Sequence, residues 1–228
     1  MAHDLVTELL QYSSLACFMP IWQLCANLLI PNCLRSNLSY SPLAALELYV
    51  KNTETTYYKY ISNGAHYTDV IAKIANVKHH LWIGTADIKD LYVKSSSMTV
   101  PFLKVISRLI ERGVEVRLIH AKEPGPNFRK DFDDYSILAK RLERVLCPRV
   151  HFKMVIFDLE TAYVGSANLT GAGLGMKGER NRNFEAGVLT NAPSFVEQAI
   201  NQFDFVWNGS QCKKCGRKRF CPDSPLKY

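Results

Sequence analysis

No lysine or arginine occurs before Arg35, so the chain opens without the basic stretch that begins a secretory signal. Its oily segment LACFMPIWQLCANLLI (Leu15 to Ile30) contains Pro20, Gln23 and Asn27. It therefore falls short of the run of about 20 apolar residues that a membrane span needs. The same residues fit one or two buried helices, broken near Pro20 and ended by Pro31. With no export signal, the expected compartment is the cytoplasm. There the seven cysteines are thiols or metal ligands rather than disulfides. Internal repeats and low-complexity tracts are also missing, so no repeat architecture is expected.

What is present describes a folded domain. The 228 residues are 47% hydrophobic, enough for a packed core. That length suits one sizeable domain with appendages, or two small domains. The formal net charge of +7 favours a polyanionic partner, nucleic acid first and an anionic membrane surface second. Residues 1 to about 60 read as helical, with Ser41 as an N-cap and Pro42 in the first turn of SPLAALELYVKN. Strands and helices then alternate. HHLWIGTADI (His79 to Ile88) reads as a strand, Val100 to Gly113 as an amphipathic helix ended by glycine, and Val114 to Ala121 as a buried strand. EPGPN reads as a loop and Asp131 to Leu146 as a charged helix. NFEAGVLT (Asn183 to Thr190) reads as a strand, followed by a closing helix. This order predicts an α/β sandwich around a mixed sheet.

The chemistry is concentrated in VHFKMVIFDLETAYVGSANLT (Val150 to Thr170). On a strand, residues i and i+2 share a face, so His151 and Lys153 point together while Phe152, Met154 and Ile156 turn to the core. The chain turns near Leu159-Glu160. A tight hairpin would set Lys153 opposite Ser166 and His151 opposite Asn168. Asn183 and Glu185 share a face of a later strand. Such a cluster suits a phosphodiester. A neutral imidazole can attack phosphorus, and lysine and asparagine can hold the non-bridging oxygens. Glu185 can fix the imidazole tautomer, and Gly165 permits close approach of neighbours. Asp158 lies off this face and reads as a structural turn or salt-bridge residue.

His151-x-Lys153-x4-Asp158-x6-Gly165-Ser166-x-Asn168 resembles the signature of the phospholipase D superfamily, and the likeness extends over residues 60 to 208. It implies a phospholipase D-like catalytic domain over 61–208, preceded by a helical extension (1–60) and followed by a cysteine-rich tail (209–228). It also implies catalysis by His151, Lys153, Ser166, Asn168 and Glu185, with Asp158 and Gly165 structural. The family mechanism uses two histidines, and this chain has a single motif. The resemblance therefore implies a homodimer whose two motifs meet on a two-fold axis. It further implies a nuclease needing no divalent metal, with DNA the favoured substrate. A restriction or defence system with its own subunits would be the setting. A phospholipid-active enzyme and an idle nucleic-acid-binding module are the alternatives.

The tail offers Cys212, Cys215 and Cys221 at ligand spacing. Zinc usually takes four ligands, so one must come from upstream: Cys17, Cys25, Cys33 or Cys147. The spacing resembles the iron-sulfur staple of Cas4 and AddB-type nucleases, which implies a structural [4Fe-4S] cluster, with zinc as the alternative. Cys33, just after Pro31-Asn32, is the favoured fourth ligand. Lys213, Lys214, Arg217, Lys218 and Arg219, lying between these cysteines, are the expected phosphate-backbone contacts.

Overall fold

The computed structural model describes residues 55–89, 91–95 and 98–221. The helices expected before Thr55, and Cys17, Cys25 and Cys33, lie outside the described residues. Among those described, no helix is long and apolar enough to cross a membrane.

The described residues form nine strands. Seven make one mixed sheet in the order β1-β9-β8-β7-β2-β5-β6. They are β1 (Tyr58–Ser62), β2 (His80–Thr85), β5 (Glu115–His120), β6 (Glu143–Leu146), β7 (Lys153–Phe157), β8 (Thr161–Gly165) and β9 (Ala186–Thr190). The remaining two, β3 (Tyr92–Ser95) and β4 (Met98–Pro101), pair as a separate hairpin. β2, β5 and β6 run parallel, whereas β7, β8, β9 and β1 form an antiparallel meander joined to β2. The fold is the expected α/β class. β1 straddles residue 60, so the sheet begins where a helical extension was expected to end.

Both faces of the sheet are covered. On one, Leu81, Ile83, Val155, Phe157, Tyr163 and Leu189 pack against two helical segments. The first, α1, is π-wound over His66–Ile71 and continues as Ala72–Ile74. The second, α2, is Phe102–Glu111. Phe102, Leu103, Ile106, Leu109 and Ile110 supply the buried stripe of α2, at the i, i+1, i+4, i+7, i+8 spacing of an amphipathic helix. Gly113 ends it at φ 89°, a left-handed conformation that a side chain would strain. On the opposite face, Trp82, Ile119, Met154, Ile156 and Ala162 meet Val196, Ala199 and Phe203 of α5 (Pro193–Trp207). Phe203 is fully buried and stacks on Trp82 at 5.0 Å between ring centroids. Strand alternation thus sorts residues between two cores rather than between core and solvent.

One expected helix is divided. Over 131–146 the chain forms the end of α3 (Pro126–Asp133), a short α4 (Ser136–Arg141) and then the edge strand β6. β5 presents an open parallel edge there, and Glu143 to Leu146 satisfy it residue by residue against Arg117 to His120. A further turn of exposed helix would leave that edge unpaired. Pro126 opens α3 at its first turn, so the EPGPN loop is shorter than its composition suggests.

Candidate active site

β7 and β8 are joined by a three-residue loop, Asp158-Leu159-Glu160. Asp158 (φ 51°) and Leu159 (φ 60°) are both left-handed. The odd loop shifts the expected hairpin register by one, so Lys153 pairs with Gly165 rather than Ser166. Gly165 in turn pairs with Gly187 on β9. By alternation, Lys153, Gly165 and Gly187 face the same way as Val155, Tyr163 and Leu189, at the open end of the α1/α2 core. Just beyond the ends of these three strands come His151, Ala167 and Glu185. The motif thus gathers across three strands.

The floor of this cluster is Tyr163. It is fully buried, and its ring runs along β8 beneath the two glycines. A Cβ on Gly165 would stand 2.3 Å from the Tyr163 Oη, and one on Gly187 would stand 2.6 Å from its Cε2. The close neighbour that Gly165 admits is therefore this ring as well as the Ala186 carbonyl. Burial pushes the Tyr163 hydroxyl pKa far up, so it stays a phenol. His66 packs edge-on against it, with ring centroids 5.5 Å apart. Burial lowers the His66 pKa, so it is neutral, and its Nδ1 donates to the Asn63 carbonyl at 3.0 Å.

Around the floor, polar groups are held in two networks. Ser166 Oγ donates to Glu185 Oε2, and Asn183 Nδ2 donates to Glu185 Oε1 at 3.1 Å. The Ala186 amide donates to Ser166 Oγ at 3.0 Å, and the Glu185 amide donates to Asn63 Oδ1 at 3.3 Å. The carboxylate is fixed from several sides. In the second network, Asn168 Oδ1 accepts from the Asp87 amide at 3.1 Å and from Thr85 Oγ1 at 3.4 Å. A backbone amide can only donate, so the accepting atom is the oxygen and the Nδ2 donors of Asn168 remain for a ligand. Lys153 Nζ donates to the His151 carbonyl at 2.9 Å, which spends one of its three hydrogens. The His151 side chain is exposed.

Asp158 stands apart from these groups. Its carboxylate accepts the amides of Lys78 (3.1 Å), His79 (2.6 Å) and His80 (3.0 Å). Burial alone would raise its pKa, but these three donors outweigh it and hold the group below the usual carboxylate range. It locks the hairpin turn to the start of β2 through amides rather than through a salt bridge. Removing it in Asp158→Ala orphans three amides and should cost about 1–3 kcal/mol in urea unfolding. Because the folded pKa is depressed, this contribution is present above the unfolded value of about 3.9. It is lost as pH falls through the folded pKa, so the gap between wild type and Asp158→Asn should close in acid.

Positioning residues Asn63, Thr85, Asp87 and Tyr163 carry no motif spacing, and sequence reasoning passed over them. The GTAD stretch (Gly84 to Asp87), where β2 ends, is their only local mark. Cys212 and Cys215 of the tail and Cys147, just after β6, line one cavity of about 170 Å³, together with Arg149, Val150 and Phe152. Cys221 Sγ approaches the Leu146 carbonyl at 3.5 Å. The Arg217 amide, and then the Arg149 side chain, lower the Cys215 pKa. Among the described residues, no three His, Cys, Asp or Glu side chains stand as a ready-made metal cage. The expected iron-sulfur cluster therefore gains no support from them. Lys213, Lys214, Arg217, Lys218 and Arg219 are all exposed.

No curated protein matches the chain. Among solved structures, it resembles NucT from Helicobacter pylori at 16% identity and TM-score 0.47, covering 65% of this chain and 94% of that one. It resembles Nuc from Salmonella typhimurium, a phospholipase D family member, at 17% identity and TM-score 0.49, with 67% and 95% covered. It also resembles TrmBL2, an archaeal chromatin protein, at 17% identity and TM-score 0.44, with 72% and 58% covered. A family profile described as "Cardiolipin synthase, PLD-like domain" matches residues 70–207. That span holds the entire His151-to-Asn168 motif and Glu185, and with it this chain belongs to the phospholipase D-like family of phosphodiester hydrolases.

Proposed function

We propose that the chain is a homodimeric nuclease that cuts DNA through a phosphohistidine, with no divalent metal in the reaction. The observation that carries the reading is the donor set: Asn168, whose oxygen accepts from the Asp87 amide and so leaves Nδ2 as its donor, and Lys153, whose ammonium is held at the His151 carbonyl. Together they offer an anion hydrogen-bond donors and the positive charge of Lys153. His151 attacks phosphorus, forming an N–P bond as the P–O bond to the leaving alkoxide breaks. The second histidine, His151 of a second copy, donates a proton to that alkoxide. Water then attacks the phosphohistidine, giving its proton to the same second imidazole, and His151 is released. Lys153 and Asn168 offset the charge that grows on the non-bridging oxygens. Glu185, fixed by Ser166 and Asn183, orients the imidazole. The net charge of +7 and the exposed basic tail favour a nucleic acid over a small diester. A defence or restriction setting follows from the same reading, with the domain division at about 60 and 208.

The test is supercoiled plasmid in EDTA, run beside vesicles of phosphatidylcholine and cardiolipin. Nicked and linear DNA with intact lipid is the expected result. Lipid turnover without DNA cleavage would replace this reading with the phospholipid one. Mixing wild type with a large excess of His151→Ala chains should draw wild-type subunits into dead dimers and suppress cleavage. Activity proportional to the wild-type chains alone would refute the shared site.

A further inference from the structure

We propose that Cys147, Cys212, Cys215 and Cys221 together bind one structural zinc ion, which clamps the basic tail against the chain segment that leads into His151. The fourth ligand is then Cys147, from within the catalytic domain, rather than Cys33.

Cys147 is the fixed member of the set. It directly follows β6, and its amide donates to the His120 carbonyl at 2.9 Å, continuing the β5–β6 ladder by one residue. The Val150 amide closes a turn back to the Cys147 carbonyl at 3.0 Å. The backbone here is held by the sheet. Cys147 is half-buried and lines the same cavity as Cys212 and Cys215, although those two lie far along the sequence, beyond α5. Cys221 arrives from a third direction. Its Sγ lies on the carbonyl of Leu146, the residue next to Cys147. Cys147, Cys212 and Cys215 thus share one cavity, and Cys221 reaches the residue beside Cys147, so the fold brings four cysteines into one neighbourhood.

The second stretch has the local form of a metal knuckle. Between Cys212 and Cys215 the chain turns tightly, the Cys215 amide donating to the Cys212 carbonyl at 3.2 Å. The Arg217 amide then donates to Cys215 Sγ at 3.4 Å. An amide aimed at sulfur from two residues on stabilises thiolate rather than thiol. A Cys-x2-Cys turn with two further cysteines nearby supplies the ligand type and number of a tetrahedral zinc site built from four cysteines. A tetrathiolate zinc is a dianion, and the Arg149 and Lys218 side chains act on Cys215 as compensating cations.

The thiols as placed do not form a closed cage. A cysteine sulfur swings about a single torsion, however, so the backbone positions decide whether an ion can draw the four together. A tail of mostly polar residues has little else to fix it, because Lys213, Lys214 and residues 216–220 are all exposed. The ion supplies the missing attachment, as structural zinc does in domains too small for a core.

Metal analysis of the purified full chain, with sulfur ligation read by X-ray absorption, tests this. One zinc per chain with four sulfurs at about 2.3 Å is expected. Cys147→Ser and Cys212→Ser should each drop zinc to a small fraction of that value, whereas Cys33→Ser should retain it. Cobalt substituted into wild type should give the intense visible bands of a tetrahedral tetrathiolate, which does not depend on any variant folding. Full zinc in a folded Cys147→Ser protein would overturn the proposal. So would wild type without metal whose four cysteines alkylate at the rate of a model thiol, or brown protein holding iron and sulfide.

Discussion

His151→Ala should lower phosphodiester cleavage by at least about ten-thousand-fold, the scale of losing a covalent nucleophile. Melting temperature and DNA affinity should stay near wild type. The imidazole is exposed and precedes β7, and the one contact described at this residue uses its backbone carbonyl, which alanine keeps. Folding therefore loses little, while on the proposed mechanism the chemistry loses its attacking nitrogen. Lys153→Ala should also cripple turnover, and it should weaken substrate binding as well, since the ammonium holds charge before and during reaction. Single-turnover cleavage with a gel-shift control separates the two effects. A fully active His151→Ala would remove the site assignment altogether.

Gly165→Ala should be the most damaging small change in the domain, costing about 3 kcal/mol or more in stability. The added methyl would stand 2.3 Å from Tyr163 Oη and 2.7 Å from the Ala186 carbonyl. Neither can retreat cheaply. The ring is fully enclosed, and the carbonyl accepts the Ser166 amide at 2.9 Å. Pushing β8 from β9 would also pull Ser166 off Glu185, so activity should fall with stability. In a Tyr163→Phe background the nearest clashing atom is gone, while Cζ at 2.7 Å remains. The same substitution should then cost less, a positive coupling in a double-mutant cycle. Urea unfolding gives the answer: a Gly165→Ala protein within about 0.5 kcal/mol of wild type, the range of a neutral surface change, would contradict this packing.

The parts of the site legible in the sequence were those with fixed spacing. His151-x-Lys153 and Gly165-Ser166-x-Asn168 stood out because strand geometry demands such intervals. Gly113 marked the end of α2 because few other residues adopt its φ. The register did not follow, since nothing in Asp158-Leu159-Glu160 signals two successive left-handed residues, and Leu159 disfavours that conformation. Nor did β6, because Glu143-Arg144-Val145-Leu146 carries helix-compatible charges. Its strand state comes from the open edge of β5, which no local window contains. Asn63, Thr85 and Asp87 act through partners remote in the sequence, so no spacing could disclose them. Cys147, the proposed fourth ligand, stood among the upstream candidates, but no neighbouring cysteine raised it above Cys33.

β1 has consequences for how the protein is made. It is the first strand of the domain to leave the ribosome, yet it pairs with β9, one of the last. Asn63, in the turn after β1, meets Glu185 across 122 residues of chain. At bacterial and eukaryotic synthesis speeds that interval lasts about 6–25 seconds. Throughout it, β1 waits without the strand that its backbone amides and carbonyls pair with in the finished fold. Glu185 is set only when β9 emerges and closes against it. On the nuclease reading, the pocket around His151 and Lys153 is therefore completed only with the last strand of the sheet.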